Sequence, residues 1–384
     1  MGSKTIRVLQ IAGAMNRAGT ETMLMNLYRK IDKNKYQFDF VSYSSEKSHY
    51  DEEIESYGGK IIRLTNPLSI KQLVAAIKVY GPYDVVHSHT LFHCGIANSA
   101  AKIAGVKVRI AHAHTTDDNK ASLVRKTYLN SMRQLIHLSS THYLACSQNA
   151  GYFLYGKKAE QSSKYSYFPN SIDFHPFLEP PADEKIKQIK TKYEIENHLV
   201  VGHIGRFIKP KNHLFLLEIT SELVKQEPLT KLLLIGEGEE KRTIKQKAKE
   251  LGLEKNIIFA GLLADVAPLL HCMDVFVFPS IYEGLGLVLL EAQATGLPCV
   301  VSDAIQEEAD LNLGLITKTA LTESPNAWAN QILNVAGNKQ TDAIKITQAF
   351  IHKNYTIPCS LKKLSSIYQN HNGGSHEKYI DHLI

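Results

Sequence analysis

Two glutamates, Glu283 and Glu291, stand eight residues apart in the stretch 279–298. Glu291 lies inside an apolar run, Leu287 to Ala294, that is typical of a buried helix, where a carboxylate is costly unless it is satisfied. Glu283 is expected in a loop closed by Gly284 and Gly286. Eight residues of α-helix rise about 12 Å and turn about 800°, so both carboxylates are expected near one face. Because carboxylates accept hydrogen bonds from hydroxyls, the pair predicts contacts with two ends of an elongated polyhydroxylated ligand. The plainer alternative is a capping glutamate and a half-buried one on an ordinary helix.

The residues that follow Glu283 favour an anionic group on that ligand. Gly284, Leu285 and Gly286 separate Glu283 from the apolar run, so they form a loop that leads into a helix. Backbone N–H groups at the N-terminus of a helix favour phosphate.

A second loop supplies positive charge. Gly205, Arg206 and Lys211 follow the apolar run 199–204, which is typical of a strand. Arginine offers a planar fork of donors and lysine a compact charge, and both commonly bind phosphate oxygens. The loop therefore predicts a site for a diphosphate, with a basic solvent-exposed loop as the alternative.

The first half of the chain has two further candidates. The loop 13–19 ends at Gly19, where a helical pattern begins and phosphate is again favoured. His114 follows a strand pattern and could donate to a substrate hydroxyl or phosphate, unless it is simply a satisfied strand-end histidine. His87 and His89 are interpreted as structural. Neither a carboxylate nor a thiol stands near the histidine pairs at ligand spacing, so no metal site is expected.

These loops must be positioned by an alternation of strands and helices. A parallel sheet built from βαβ units follows from such a pattern, and its ligands bind beyond the carboxyl ends of the strands. The pattern pauses at the turn-rich segment 168–182 and then restarts, so we expect two tandem doubly wound Rossmann-like domains facing across a cleft. The domains are expected at residues 1–172 and 173–356, with a C-terminal helix at about 357–370 packing back on the first. The predicted strands are 6–12, 38–42, 84–89, 108–112, 143–147, 199–204, 231–235, 257–260, 275–279 and 298–302.

Composition restricts the setting. The 384 residues carry a net charge of +6, and residues 1–175 hold 22 Lys and Arg against 13 Asp and Glu. Such a basic domain would attract an anionic membrane or a phosphorylated substrate. There is no apolar run of membrane-spanning length and no signal-peptide pattern, and the five cysteines have no paired spacing, so a cytoplasmic protein is expected. The sequence lacks a Walker A motif, a G-x-S-x-G elbow and a nucleic-acid-binding pattern.

Taken in order, five motifs resemble the retaining nucleotide-sugar glycosyltransferases of family four, which have the GT-B architecture. The likeness is greatest to bacterial exopolysaccharide and capsule glycosyltransferases, and it extends over residues 5–370. The motifs are AMNRAGTET at 14–22, AHAH at 111–114, PNSID at 169–173, Gly205-Arg206 with Lys211-Asn212, and the pair Glu283 and Glu291.

This resemblance implies a role for each candidate residue. Arg206 and Lys211 would hold the donor diphosphate, Glu291 would accept from the ribose hydroxyls, and Glu283 would contact the donor sugar. The Gly19 loop would approach the diphosphate, and His114 would lie near donor sugar and acceptor. Backbone contacts would come from Gly205, Leu262 (to the base), Gly284, Leu285 and Gly286.

The same resemblance implies a metal-independent reaction without a cofactor. A hexose or N-acetylhexosamine would pass from a nucleotide sugar, expected to be a UDP-sugar, to a glycan or lipid-linked acceptor at the inner membrane face. Retention of configuration would follow from front-face attack, in which a departing phosphate oxygen takes the acceptor proton.

Two departures from the family pattern leave other functions open. Ala18 stands where relatives often have a second glycine, and residues 302–308 replace a glycine-containing loop. A non-catalytic partner that binds a nucleotide sugar is one alternative, and Ala18 is the feature that favours it. A GT-B nucleotide-sugar epimerase is another, since such enzymes use paired carboxylates as acid and base, although their motif order differs.

Overall fold

A computed structural model describes residues 5–116, 123–340 and 342–369. The chain folds into two compact units. The N-terminal unit comprises Met1–Ser171 with Ile357–Ile384, and the C-terminal unit comprises Ile172–Thr356. Each is built around its own parallel sheet.

Seven strands form the sheet of the N-terminal unit. They are β1 (Ile6–Ile11), β2 (Tyr36–Ser42), β3 (Ile61–Arg63), β4 (Val85–Ser88), β5 (Val108–Ala113), β6 (His142–Ala145) and β7 (Tyr165–Tyr167). All pair in parallel, in the spatial order β3-β2-β1-β4-β5-β6-β7. The connecting helices are α1 (Gly19–Lys30), α2 (Asp51–Ser56), α3 (Ile70–Tyr80), α4 (Cys94–Ile103), α5 (Leu123–Ser139) and α6 (Gln148–Tyr155).

The C-terminal unit repeats this plan with six strands. They are β8 (Leu199–Ile204), β9 (Thr230–Ile235), β10 (Ile257–Gly261), β11 (Val275–Phe278), β12 (Cys299–Ser302) and β13 (Ile316–Thr319). Their spatial order is β10-β9-β8-β11-β12-β13, again all parallel. The helices are α7 (His175–Leu178), α8 (Asp183–Lys192), α9 (His213–Gln226), α10 (Lys241–Glu250), α11 (Ala267–His271), α12 (Leu287–Ala294), α13 (Pro325–Val335) and α14 (Ala343–His352). The prediction of two doubly wound α/β sheets is confirmed.

Buried apolar residues explain why the sheets form where they do. In the C-terminal unit the side chains of Val201, Leu232, Val275 and Val300 meet Trp328 of α13 in one core. Strands covered by helices on both faces need apolar residues at successive positions, as in residues 232–235 of β9 and 275–278 of β11.

The last helix, α15 (Ile357–Gln369), belongs to the N-terminal unit. Tyr368 on α15 is fully buried, and Lys363 Nζ donates to the carbonyl oxygen of Tyr167 at 2.5 Å. Gln369 Nε2 donates to the hydroxyl of Tyr36 at 2.8 Å. The chain thus returns to cover the first sheet. Among the described helices, none has the length and hydrophobicity needed to cross a bilayer.

Candidate functional site

The loops that carry the predicted cations and carboxylates follow neighbouring strands. β8 and β11 pair through Val201 with Val275 and through Gly202 with Phe276. Because both strands run in the same direction, their loops emerge at one edge of the sheet, where ligands bind in this architecture.

Hydrogen bonds join these two loops. The Ile281 N–H donates to the Pro210 carbonyl at 2.8 Å, and Asn212 Nδ2 donates to the Pro279 carbonyl at 3.1 Å. Asn212 adopts the left-handed conformation, with φ of 57°, directly before α9. The turn therefore fixes the position of Lys211, which precedes Asn212. Sequence analysis missed this role of Asn212, although an Asn directly before a helix, where asparagine tolerates the left-handed region, was a signal for it.

Lys211 and Glu283 form an ion pair within this edge. Lys211 Nζ donates to Glu283 Oε1 at 2.7 Å, and only 15% and 13% of the two side chains are exposed. The ammonium lies 4.4 Å from the centre of the Phe278 ring. A Cβ at Gly205 would lie 3.2 Å from Cδ and Cε of Lys211, so glycine there leaves room for the lysine stem. The structure thus brings Gly205, Lys211 and Glu283 together.

The two glycines after β9 have a packing role. A Cβ at Gly236 would lie 2.1 Å from the Gly205 carbonyl oxygen, and one at Gly238 would lie 2.5 Å from the Phe207 carbonyl oxygen. The Phe207 N–H donates to the Glu237 carbonyl at 2.9 Å. The glycines therefore allow the backbone of residues 236–238 to pack directly against the backbone of the loop that carries Arg206 and Lys211.

Arg206 differs from Lys211 in its surroundings. Its side chain is exposed and has no hydrogen-bond or ion-pair partner among the described residues. An exposed guanidinium keeps its full set of donors available to a phosphate group.

The geometric argument for the two glutamates was wrong in one respect. α12 begins at Leu287, and Gly286 before it has φ of +78°, so Glu283 lies outside the helix, in the loop that was predicted for it. Helical rise and rotation therefore do not relate the two carboxylates. The prediction that residues 287–294 form a largely buried helix is confirmed.

Glu291 lies in an environment that disfavours its charged form. Its side chain is partly buried, and desolvation raises its pKa to about 7. No described residue donates a hydrogen bond to it. A desolvated carboxylate without a partner gains from any ligand that brings hydroxyl donors.

The remaining predicted donor contacts are backbone groups. Gly284 and Leu285 are buried in the loop before α12. No side chain caps this helix, whereas the N–H of Leu289 already donates to the Gly286 carbonyl at 2.8 Å. Leu262 follows β10 and is 42% exposed. Gln306 Nε2 donates to the Glu283 carbonyl oxygen at 3.5 Å. This contact connects the loop 302–308, whose sequence departs from the family pattern, to the site.

Gly19 and His114 belong to the N-terminal unit. Gly19 is the first residue of α1, and a Cβ built on it would meet no atom within 4 Å. The preceding Ala18 is extended and gives no side-chain cap, so the first N–H groups of α1 have no cap from this residue. His114 Nε2 lies 2.8 Å from His89 Nδ1, and burial lowers the pKa of His114 to about 3. His114 is therefore neutral at physiological pH.

Three histidines could hold a metal ion by their spacing. The ligand atoms of His87, His89 and His112 lie within 4.8 Å of one another. Sequence analysis paired these histidines within strands and did not see that β4 and β5 bring the pairs together. The ring nitrogens of the cluster also hydrogen-bond one another, as His87 Nε2 does with His112 Nδ1 at 3.1 Å.

Known proteins match both units. A family model described as Glycosyltransferase Family 4 matches residues 17–175, and one described as Glycosyl transferases group 1 matches residues 198–338. The glycosyltransferase named EpsF from Bacillus subtilis (strain 168) is 39% identical over 358 residues, which are 91% of this chain and 93% of EpsF. The capsular polysaccharide biosynthesis glycosyltransferase CapH from Staphylococcus aureus is 27% identical over 377 residues, 95% of this chain and 99% of CapH.

A solved structure shares the fold over nearly the whole chain. Anabaena Alr3699/HepE in complex with UDP-glucose has a TM-score of 0.78 and 19% identity, covering 94% of this chain and 98% of its own. With a 39% identical relative matched along almost its full length, the chain belongs to the family-four glycosyltransferases and has the GT-B fold.

Proposed function

We propose that this protein is a retaining, metal-independent glycosyltransferase of surface polysaccharide synthesis. It transfers a hexose or N-acetylhexosamine from a UDP-sugar to a glycan or lipid-linked acceptor. The observation that carries the proposal is the partly buried Lys211–Glu283 pair, held where the loops after β8 and β11 are joined by hydrogen bonds. A cation fixed in this way is preorganised for charge that develops on a leaving diphosphate.

Different residues of the C-terminal unit contact different parts of the donor. Arg206 and Lys211 bind diphosphate oxygens, while Glu283 contacts hydroxyls of the sugar and keeps Lys211 oriented. Glu291 accepts from the ribose hydroxyls, which satisfies its desolvated carboxylate. The N–H groups of 284–286 add contacts at the sugar and phosphate side.

Transfer needs no protein base in this scheme. The bond between the anomeric carbon and the phosphate oxygen breaks, the acceptor oxygen bonds to that carbon on the same face, and the acceptor proton passes to the departing phosphate oxygen. His114, with a pKa of about 3, is a poor base at neutral pH, which supports a role in contact only.

Two comparisons support the choice of donor and pathway. HepE binds UDP-glucose, and CapH acts in capsular polysaccharide biosynthesis. The excess of Lys and Arg in residues 1–175 supports an acceptor carried at an anionic membrane surface, with the protein in peripheral contact on the cytoplasmic side.

The test is a transfer assay with a panel of UDP-, GDP- and ADP-sugars and lipid-linked acceptors, with and without a chelator. Lys211→Met is expected to lower kcat by about 100-fold or more, as loss of a preorganised charge contact does. The matched control is Lys209→Met, which removes an exposed lysine from the same turn and should keep activity.

Undiminished transfer by Glu283→Ala, or transfer that requires a divalent metal, would overturn the scheme. UDP binding without turnover on any donor would instead support a non-catalytic partner, and product formation without acceptor an epimerase.

A further inference from the structure

One face of the N-terminal sheet carries a row of polar side chains beneath α15. Gln10 on β1 pairs in register with His87 on β4, so the two side chains lie on the same face. His89 comes two residues after His87, and His112 lies two residues beyond Ile110, the partner of His87. Side chains two residues apart on a strand share a face, so sheet geometry collects these residues.

Five side chains of this face and Tyr368 of α15 form one continuous hydrogen-bonded chain. Its contacts, in order, are His114 Nε2 to His89 Nδ1 (2.8 Å), His89 Nε2 to Gln10 Oε1 (3.0 Å), Gln10 Nε2 to the Tyr368 hydroxyl (3.3 Å), that hydroxyl to His87 Nδ1 (2.9 Å), and His87 Nε2 to His112 Nδ1 (3.1 Å). The two end atoms, His114 Nδ1 and His112 Nε2, are buried and have no hydrogen-bond partner among the described residues.

The chain can hold its protons in only two ways while the rings are neutral. Burial lowers the pKa of all four histidines, so each ring has one N–H donor and one bare acceptor nitrogen. Every internal contact needs one donor and one acceptor, and the Tyr368 hydroxyl must donate in one of its two contacts because its proton has no other acceptor among the described residues. The orientation of the Gln10 amide therefore determines which nitrogen of every ring carries the proton. Exchanging the positions of Gln10 Oε1 and Nε2 would move the proton to the other nitrogen of each ring.

The orientation of Gln10 in the structure selects one of these states. Its Oε1 faces His89, so His89 must donate from Nε2 and accept at Nδ1 from His114. Its Nε2 donates to Tyr368, whose hydroxyl then donates to His87 Nδ1. All four histidines are consequently protonated at Nε2.

The far end of the chain favours the same state. The backbone of Phe168 raises the pKa of His112 against the effect of burial, as a carbonyl acceptor does, although the contact falls short of hydrogen-bond geometry. A carbonyl can only accept, so it favours a proton on His112 Nε2. At the other end the Asn170 side chain also raises the pKa of His114, as an acceptor does, so in this state the amide must turn its nitrogen toward His114 Nδ1.

We propose that Gln10 and Tyr368 are positioning residues that hold His114 as its Nε2–H tautomer. The Nε2–H donates to His89 and the bare Nδ1 is buried, so the imidazole has no N–H left to donate to phosphate. The effect on transfer rests on the proposed function, whereas the tautomer does not. Sequence analysis expected His114 to donate a hydrogen bond to the substrate, whereas in the hydrogen-bonded chain its one N–H already donates to His89.

The test of the tautomer is NMR of protein labelled with ¹⁵N at histidine, since the nitrogen shift distinguishes a protonated ring nitrogen from a bare one. Single histidine variants assign the signals. We expect one shared Nε2–H tautomer for His87, His89, His112 and His114. A shared Nδ1–H tautomer or a mixture of tautomers in the wild type would overturn the inference, and so would a spectrum that changes on chelation, which would indicate a bound metal.

The test of positioning compares Tyr368→Phe with Tyr36→Phe. Both remove one hydroxyl that contacts a glutamine, but Tyr36 bonds to Gln369 and lies outside the chain. Tyr368→Phe is expected to uncouple His87 and His112 from the other two rings and to lower kcat about fivefold, the size expected from one hydrogen bond. UDP, which lacks the sugar, should bind unchanged.

Gln10→Met, similar in length but without polar groups, breaks the chain in its middle and should give the same pattern. Equal loss of activity in Tyr36→Phe, or a parallel loss of UDP affinity, would show that the effect is general loosening of α15. A shared tautomer in a protein without transfer activity would refute the proposed function and leave the ordered chain intact.

Discussion

Replacing Glu291 by glutamine should make the C-terminal unit more stable at alkaline pH and weaker at binding a nucleotide. Burial raises the pKa of Glu291 from 4.5 to about 7, so the fold favours its protonated form. The stability that this preference gives is fully present below the unfolded pKa of 4.5. It is lost as pH rises through about 7, because the carboxylate must then ionise without a partner.

The size of the effect follows from the two pKa values. Their difference corresponds to about 3 kcal/mol, taken as an upper value because the side chain keeps some exposure. Glutamine resembles the protonated acid and does not titrate. We therefore expect similar stability of Glu291→Gln and wild type at pH 5, and an advantage of about 1–3 kcal/mol for the variant at pH 8.

The chain carries a convenient reporter for this measurement. Trp328 is the only tryptophan, lies in the C-terminal unit and is fully buried, so its fluorescence follows the unfolding of that unit in urea. Glu254→Gln, at an exposed site of the same unit, is the matched control and should show no pH-dependent difference. A difference between wild type and Glu291→Gln that stays constant from pH 5 to pH 8 would refute the desolvation argument.

The same samples test the ligand role. Saturation with UDP at 100 times Kd stabilises a binding protein by about 2.7 kcal/mol. If the ribose hydroxyls donate to Glu291, wild type at pH 8 should gain this much and Glu291→Gln clearly less at the same UDP concentration. Equal gains would separate Glu291 from the nucleotide site.

Two further substitutions test how the loops are held together. Gly236→Ala places a Cβ 2.1 Å from the Gly205 carbonyl oxygen at φ of 142°, so it should lower the free energy of unfolding in urea by about 3 kcal/mol or more. The control Gly252→Ala, at φ of 68° with open space around it, should lower it by about 1 kcal/mol. Equal losses would contradict the contact between the two loops. Asn212→Gly keeps the left-handed turn but loses the hydrogen bond to the Pro279 carbonyl, so it should lower the free energy of unfolding by about 1 kcal/mol and reduce transfer activity. The control Asn312→Gly, also left-handed but exposed, should change stability by less than about 0.5 kcal/mol. Unaltered transfer by Asn212→Gly would show that the turn does not position Lys211.

Sequence pattern was informative where a strand is covered on both faces. Val275–Phe278 is apolar at every position and was predicted to within one residue of its observed end. The three strands that were not identified are β3, β7 and β13, which lie at sheet edges and are short and only partly buried. An edge strand has one neighbour and more solvent contact, so its sequence need not be apolar.

Candidate residues could be identified from the sequence, but their local arrangement could not. The Lys211–Glu283 pair joins positions 72 residues apart, and it depends on β8 lying beside β11 and on the left-handed turn at Asn212. The histidine chain similarly requires β4, β5 and α15 to meet. Strand order and helix return are tertiary properties, and local periodicity carries no information about them.

The Glu283 and Glu291 motif shows why spacing alone misled the geometric argument. Eight residues suggested a helical relation, yet a left-handed glycine at 286 ends the loop and starts α12 between the two glutamates. Their environments therefore differ: Glu283 is compensated by Lys211, whereas Glu291 is desolvated and has no donor among the described residues. A compensated carboxylate can orient a cation without being consumed by it, and an uncompensated one gains most from neutral hydroxyls. The two glutamates are thus suited to different parts of one ligand because the fold treats them differently.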